Sequence, residues 1–133
     1  MLLYPNCKII IGLRVLNKRE DGYHNIETIF VPIYGLHDEL EVNRSDVFGF
    51  VQEGIAIDCP EDDNLIIRCY RQMAAKYASI GPVHIRFRKQ IPFGAGLGGG
   101  SSDAAHMAIA LNELFSLGLT KEQLAAEVGS LGA

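Results

Sequence analysis

Apolar positions along the chain follow two rhythms in succession. The first is strand-like. Residues 7–16 form a short run dense in Ile, Leu and Val, which predicts a buried strand. Residues 17–22 (NKREDG) are polar and end in Asp21-Gly22, a turn signal. Residues 25–34, with Thr28, Ile29, Val31 and Ile33, predict the returning strand. Pro32 has no N–H to give to a ladder, so that strand is expected at an edge or with a bulge. Leu40 and Val42 share one face of a third strand over residues 39–43. Residues 48–57, broken by Gly49 and Gly54, predict a short hairpin.

From there the period becomes helical. Asp62 or Asp63 is placed to cap a helix with Ile66, Cys69, Met73 and Tyr77 along one stripe, and Gly81-Pro82 ends it. Val83, Ile85 and Phe87 then alternate with His84, Arg86 and Arg88, which predicts a strand with one wet face. A helix over residues 102–116 would turn Met107, Ala108, Leu111 and Leu114 inward and stop at Gly118. Residues 120–123 (TKEQ) fit a capping box for a last helix bearing Leu124, Val128 and Leu131. No repeat, linker or low-complexity tract interrupts the order. Strands followed by helices predict an α+β fold with a mostly antiparallel sheet packed with helices.

Composition narrows the class. A chain of 133 residues suits one domain and can bury a core without disulfide or metal staples. Hydrophobic residues make up 48% and charged residues 21%, which separates it from disordered chains. The formal net charge of −4 leaves no general basic footprint, so no nucleic-acid partner is expected. Cys7, Cys59 and Cys69 are odd in number and lack CxxC spacing, which argues against a disulfide framework or zinc site and for reduced thiols. Cys7 and Cys69 lie in apolar patterns and are expected to be packed. The N-terminal residues lack signal-peptide architecture and no apolar run reaches membrane-spanning length, so a cytoplasmic protein without a membrane partner is expected.

Candidate chemistry concentrates between the wet-faced strand and the second helix, in PFGAGLGGGSSDAA at residues 92–105. Gly94, Gly96, Gly98, Gly99 and Gly100 supply five glycines in seven residues, more than a simple turn needs. Without Cβ atoms the backbone can approach a ligand closely and converge its N–H groups on an anion. The helix that follows adds free N–H donors and the positive end of its dipole. Ser101 and Ser102 add hydroxyls able to cap the helix, bond phosphate or reach a metal. A P-loop would need Gly-Lys-Ser/Thr, and no lysine is present. Gly94, Gly96 and Gly99 fit GxGxxG, but Pro92 interrupts the strand before them, and the region near Leu119 is helical rather than a strand ending in an acid. Arg86, Arg88 and Lys89 could attract phosphate, although a wet strand face is their expected role. His37, His84 and His106 lack metal-ligand spacing and are expected to be structural or exposed.

A proline, a Gly-Leu-Gly core, a serine pair and small residues entering a helix resemble the GHMP kinase superfamily (galactose, homoserine, mevalonate and phosphomevalonate kinases). Four stretches sharpen the resemblance: NCKIIIGL at 6–13, REDGYHNIET at 19–28, DNLIIR at 63–68 and the glycine stretch itself. In that order, and over essentially the whole chain, they resemble the N-terminal half of the 4-diphosphocytidyl-2-C-methyl-D-erythritol kinase family. The resemblance implies a GHMP kinase N-terminal domain (ribosomal protein S5 domain 2-like) over residues 1–133. It implies transfer of the ATP γ-phosphoryl to the 2-hydroxyl of the methylerythritol unit, with Mg²⁺, in non-mevalonate isoprenoid precursor synthesis. Pro92, Phe93, Gly94, Ala95, Gly96, Leu97, Gly98, Gly99, Gly100, Ser101 and Ser102 would bind ATP. Ser102 is the candidate metal contact, with Ser101 as the alternative. Lys8 matches the active-site lysine and would set a positive charge beside the attacking hydroxyl. Tyr23 and His24 match the positions that hold cytosine in the cytidine-diphosphate-linked substrate, where a ring can stack on the base and an imidazole can read its edge.

Departures from the family pattern stand out. Ile10 occupies a position where the family usually has a substrate-holding Asn, and Cys7 replaces a usual Ala. The chain also ends where the family would run into its catalytic aspartate and a second domain. The resemblance therefore implies an N-terminal portion without the C-terminal GHMP domain, inactive or nearly so alone, and prone to self-association through surfaces meant for the other half. Two alternatives remain: a GHMP kinase of another small alcohol, and a non-catalytic nucleotide-binding or assembly fragment.

Overall fold

Two sheets hold the strands. The computed structural model describes residues 1–18, 20, 24–55, 63–92 and 99–131. In chain order the elements are β1 (Leu2–Leu3), β2 (Asn6–Lys18), β3 (His24–His37), β4 (Glu39–Arg44), β5 (Gly49–Gly54), α1 (Leu65–Lys76), β6 (Val83–Lys89), α2 (Gly99–Leu114) and α3 (Lys121–Gly129). β2 and β3 form an antiparallel ribbon of their own, and the other strands form a sheet in the order β1-β4-β6-β5. The α+β expectation holds, and the sheet is mixed because β5 runs parallel to β6.

That parallel pairing corrects the hairpin expected over residues 48–57. Gly49–Gly54 is a single strand, and Ala56 and Ile57 lie outside the described residues. Parallel neighbours need a crossover, which α1 provides between β5 and β6. Gly54 closes the strand at φ 83, a left-handed conformation. A Cβ there would overlap the Lys89 carbonyl oxygen, which accepts the Ile55 N–H at 2.9 Å.

β6 shows why this sheet has one dry face. Val83, Ile85 and Phe87 are fully buried, and His84, Arg86 and Arg88 point out, as alternation requires. Leu40 and Val42 of β4 extend the dry face, and β1, too short to be foreseen, adds Leu3. Ile66, Cys69 and Met73 of α1 and Ala104, Met107, Ala108 and Leu111 of α2 close over it. Burial pushes the Cys69 thiol up to about 12, so it is packed and unreactive. Pro32 sits opposite Lys8 on the two-stranded ribbon, whose register shifts at three places.

The helix ends refine the sequence signals. Asn64, not Asp62 or Asp63, caps α1, because its extended backbone brings Oδ1 to the Ile66 N–H at 2.9 Å. α1 ends at Lys76, before Gly81-Pro82, because the Tyr77 cap turns extended. α2 starts three residues earlier than expected, within the glycine stretch. It ends in a Schellman pattern: Ser116 N–H bonds Glu113 O at 3.3 Å and Leu117 N–H bonds Asn112 O at 3.0 Å. Ser116 takes the left-handed position at φ 50, so the stop assigned to Gly118 falls two residues earlier. Arg44 Nε donates to Leu114 O at 2.8 Å and satisfies another carbonyl at that end. Both bonds of the Thr120–Gln123 capping box are present at α3.

Candidate functional site

β6 leads through Gln90, Ile91 and Pro92 into the glycine stretch, and α2 emerges from it at Gly99. Phe93, Gly94, Ala95, Gly96, Leu97 and Gly98 lie outside the described residues. The first-turn N–H groups of an α-helix have no partner within the helix. α2 carries no acidic side chain in that turn, so nothing local competes with an incoming anion. Ser101 is exposed, Ser102 half-buried and Pro92 exposed. His106 Nδ1 lies 2.8 Å from Ser102 O and fixes its imidazole one turn further along. Gly99 is buried, and a Cβ there would stand 2.9 Å from Ile91 Cγ2 and 3.0 Å from Lys89 Nζ. Only a glycine lets the helix start this close to the end of β6.

Beneath this junction lies a charged cluster that the sequence signals did not single out. Lys89, expected on the wet face, turns inward and is buried. Its Nζ contacts Asp38 Oδ2 at 2.9 Å and Asp103 Oδ2 at 3.1 Å. Asp38 Oδ1 accepts the Gln90 N–H at 2.6 Å and the Ile91 N–H at 2.8 Å. The correction was legible by parity: positions 83, 85 and 87 point in, so 89 does too. Asp38 falls between two strands and Asp103 inside the SSDAA stretch, and neither carries a sequence signal for burial.

One ammonium faces two carboxyls here, and they respond differently. Burial pushes Asp103 up, the hydrogen bond with Asp38 pushes it further, and Lys89 only partly opposes, leaving it at about 9. Burial also raises Asp38, but hydrogen bonds with Asp103, Ile91, Gln90 and Lys89 outweigh that and hold it below the ordinary value. At neutral pH the pair therefore shares one proton, carried by Asp103.

The ribbon places the remaining candidates. Lys8 lies on β2 opposite Pro32, and His24 begins β3 opposite Lys18. The two are ten residues apart along β2, at opposite ends of the ribbon. Tyr23 lies outside the described residues. Ile10 pairs with Phe30. His84 is exposed, and His37 is half-buried with its Nδ1 3.1 Å from Asp38 O. Among the described residues no group of three His, Cys, Asp or Glu is placed to hold a metal.

The family description GHMP kinases N terminal domain matches residues 64–133, which run from the cap of α1 through the glycine stretch to the end of the chain. The chain belongs to the GHMP kinase family. Within it, the chain is similar to 4-diphosphocytidyl-2-C-methyl-D-erythritol kinase of Parabacteroides distasonis, 47% identical over all of this chain and 48% of that protein. It is 46% identical to the protein of the same name from Azobacteroides pseudotrichonymphae, over all of this chain and 49% of that one. A crystal structure of 4-(cytidine 5'-diphospho)-2C-methyl-D-erythritol kinase superposes with a TM-score of 0.79 at 37% identity, over all of this chain and 46% of that one. Mevalonate pyrophosphate decarboxylase from Streptococcus pyogenes shares the fold at 17% identity and a TM-score of 0.68, over 98% of this chain and 42% of that one. The chain thus spans about half the length of the GHMP relatives it matches.

Proposed function

We propose that this chain is the ATP-binding N-terminal portion of a 4-diphosphocytidyl-2-C-methyl-D-erythritol kinase, acting in the cytoplasm on the 2-hydroxyl of its cytidine-diphosphate-linked substrate. The observation that carries the reading is that the glycine stretch joins the end of β6 to the N-terminus of α2. A stretch of five glycines leaves a buried strand end and enters the N-terminus of α2, whose first turn has no acidic side chain. Support for the substrate class comes from relatives bearing that enzyme name at 46–47% identity across the whole chain. Residues 92–102 are assigned to the ATP phosphates, Lys8 to the neighbourhood of the attacking hydroxyl, and Tyr23 and His24 to the cytosine.

These residues divide the work of phosphoryl transfer, which is mostly positioning and charge stabilisation. Backbone N–H groups of the first turn of α2 hold phosphate oxygens, and Ser101 can add a hydroxyl from the exposed side. Mg²⁺ would neutralise charge on the transferring phosphates. It would be held by the phosphates and the Ser102 hydroxyl. Lys8 would supply a cation from β2. Transfer itself is assigned to the whole-length protein and nucleotide binding to this chain.

Calorimetric titration of the chain with MgATP tests the reading. Saturable binding that Ser102→Ala weakens and CMP leaves unaffected is expected, with separate saturable binding of CMP or CDP. No uptake of MgATP would overturn the nucleotide assignment. MgATP uptake without any cytidine binding would favour a GHMP kinase of another small alcohol. Exposed Tyr34, Val47 and Val51 offer apolar surface for self-association. A strictly monomeric mass by light scattering at high concentration would remove that part.

A further inference from the structure

Asp38 belongs to none of the sequence motifs, yet the flanks of two of them meet at it. Its backbone N–H donates to Pro5 O at 2.7 Å, just before β2 begins and three residues before Lys8. Its Oδ1 takes the N–H groups of Gln90 and Ile91, the last residues before Pro92. Its Oδ2 takes Lys89 Nζ, which also reaches Asp103 on the second turn of α2. Gly99, where α2 emerges from the glycine stretch, packs against the same ammonium. The segments on both sides of residues 93–98 are therefore tied to one fully buried carboxylate, and that carboxylate is tied to the start of β2.

We propose that Asp38 is a positioning residue for nucleotide binding, setting the relation between the end of β6, the N-terminus of α2 and the start of β2. The proposal rests on the assignment of the glycine stretch to ATP phosphates. Its physical basis is the lack of substitutes. Two consecutive N–H groups, of half-buried Gln90 and buried Ile91, need an acceptor, and leaving the buried one unpaired costs far more than its bond contributes. A buried lysine needs an anion as close. A carboxylate meets both demands with its two oxygens. A carboxamide of the same shape cannot, because its NH₂ must face either the N–H groups or the Lys89 ammonium, donor against donor.

Amide hydrogen exchange across residues 86–104 and MgATP titration, run on the chain and on Asp38→Asn, test the proposal. Glu127→Ala serves as control, because it removes a buried carboxylate whose bonds, among the described residues, go to Gln72 and Lys76 of α1 and to its cap Tyr77. Asp38→Asn is expected to speed exchange at Gln90, Ile91 and the first turn of α2 about 10-fold and to weaken MgATP binding about 10-fold. Glu127→Ala is expected to lower the urea midpoint while leaving both readouts within about twofold. Exchange in Asp38→Asn within twofold of the parent would overturn the proposal, as would equal loss of MgATP affinity in both variants. If the parent takes up no MgATP, the nucleotide assignment falls, and exchange at residues 90–91 and 99–103 alone decides whether Asp38 fixes the flanks. Asp38→Glu, which keeps the charge but shifts it by one methylene, gives the same two readouts should Asp38→Asn not fold.

Discussion

Asp103 and Glu127 are both buried carboxyls beside a lysine, on consecutive helices, yet their protons behave in opposite ways. Glu127 on α3 receives Lys76 Nζ at 2.6 Å, Gln72 Nε2 at 2.9 Å and the Tyr77 hydroxyl at 3.1 Å. The hydrogen bond from Lys76 dominates and holds the carboxyl below its ordinary value against the opposing effect of burial. Asp103 takes one donor nitrogen, Lys89 Nζ at 3.1 Å, which it shares with Asp38, and its hydrogen bond with Asp38 raises it further; among the described residues its Oδ1 has no hydrogen-bond partner. Burial wins there. The number of donors per carboxyl, rather than the presence of a lysine, decides which one ionises. One ammonium cannot neutralise two buried carboxylates, so a proton supplies the balance. The α1–α3 clamp is ordinary stabilisation, whereas the Asp38 cluster is a strained electrostatic arrangement kept next to the candidate phosphate site.

Lys89→Ala is the strongest way to break that contrast. It leaves Asp38 and Asp103 facing each other in a dry interior with a cavity beside them. Removing one partner of a buried pair typically costs about 3–5 kcal/mol. Urea unfolding at neutral pH should show a loss of that size. A loss smaller than that of Glu127→Gln would mean that the cluster holds nothing together.

Asp103→Asn is next, and its sign is the informative part. Folding raises the Asp103 carboxyl from 3.8 to about 9, so between those values the folded chain keeps a proton that the unfolded chain has released. Its contribution is fully present below 3.8 and is lost as pH rises through about 9. An amide needs no proton and can donate to Asp38 while its oxygen accepts from Lys89. Asp103→Asn should therefore match the parent near pH 4 and exceed it by about 1 kcal/mol or more near pH 8. Parallel stability curves for the two proteins across that range would refute the shared proton.

How much of this was legible follows from chain separation. Alternation in β6 and the stripes on α1 and α2 are local, and Val83, Ile85, Phe87, Met73 and Leu111 fell where period alone put them. The Thr120–Gln123 capping box is local as well. Asp38 and Lys89 are 51 residues apart, and no local pattern joins them. Lys89 was misread because its charge outweighed its parity, although 89 continues the buried series 83, 85, 87. Ser116 was overlooked because glycine at 118 is the commoner left-handed stop. The parallel β5 was missed because pairing order depends on where α1 packs, which two glycines in a weak strand do not reveal. For the site, the glycine stretch announced a phosphate loop, while the residues that tie down its ends were silent.

Glu127→Gln tests the other side of the contrast. It removes the charge that Lys76 neutralises but keeps the shape, at an expected cost of about 1–2 kcal/mol at neutral pH. Because folding lowers this carboxyl, its contribution is present above its ordinary value of 4.5 and fades as pH falls through the folded value. The difference between parent and Glu127→Gln should then shrink on acidification, as it does for Asp103→Asn, but with the parent rather than the variant the more stable near neutral pH. Asp38 is also held low and shares the acid limb, so the difference between the two proteins is the measure, not the limb itself. A difference that grows toward acid would contradict the assignment.

The smallest effect belongs to Arg86→Ala, and it isolates burial as the cause. Arg86 and Glu53 bond at 2.8 Å on the wet face, closer than Lys89 and Asp103, but their side chains are 59% and 40% exposed. Water already solvates both charges, and holding two long side chains together offsets most of the attraction. Such pairs contribute about 0–1 kcal/mol. The loss on Arg86→Ala should also vanish in 1 M salt, where the screening length is about 3 Å, whereas the loss on Lys89→Ala should persist. If contact distance set the energy, Arg86→Ala would rival Lys89→Ala. If desolvation sets it, the three pairs rank by burial, and the cluster under α2 stands apart because its members are almost wholly shielded from water.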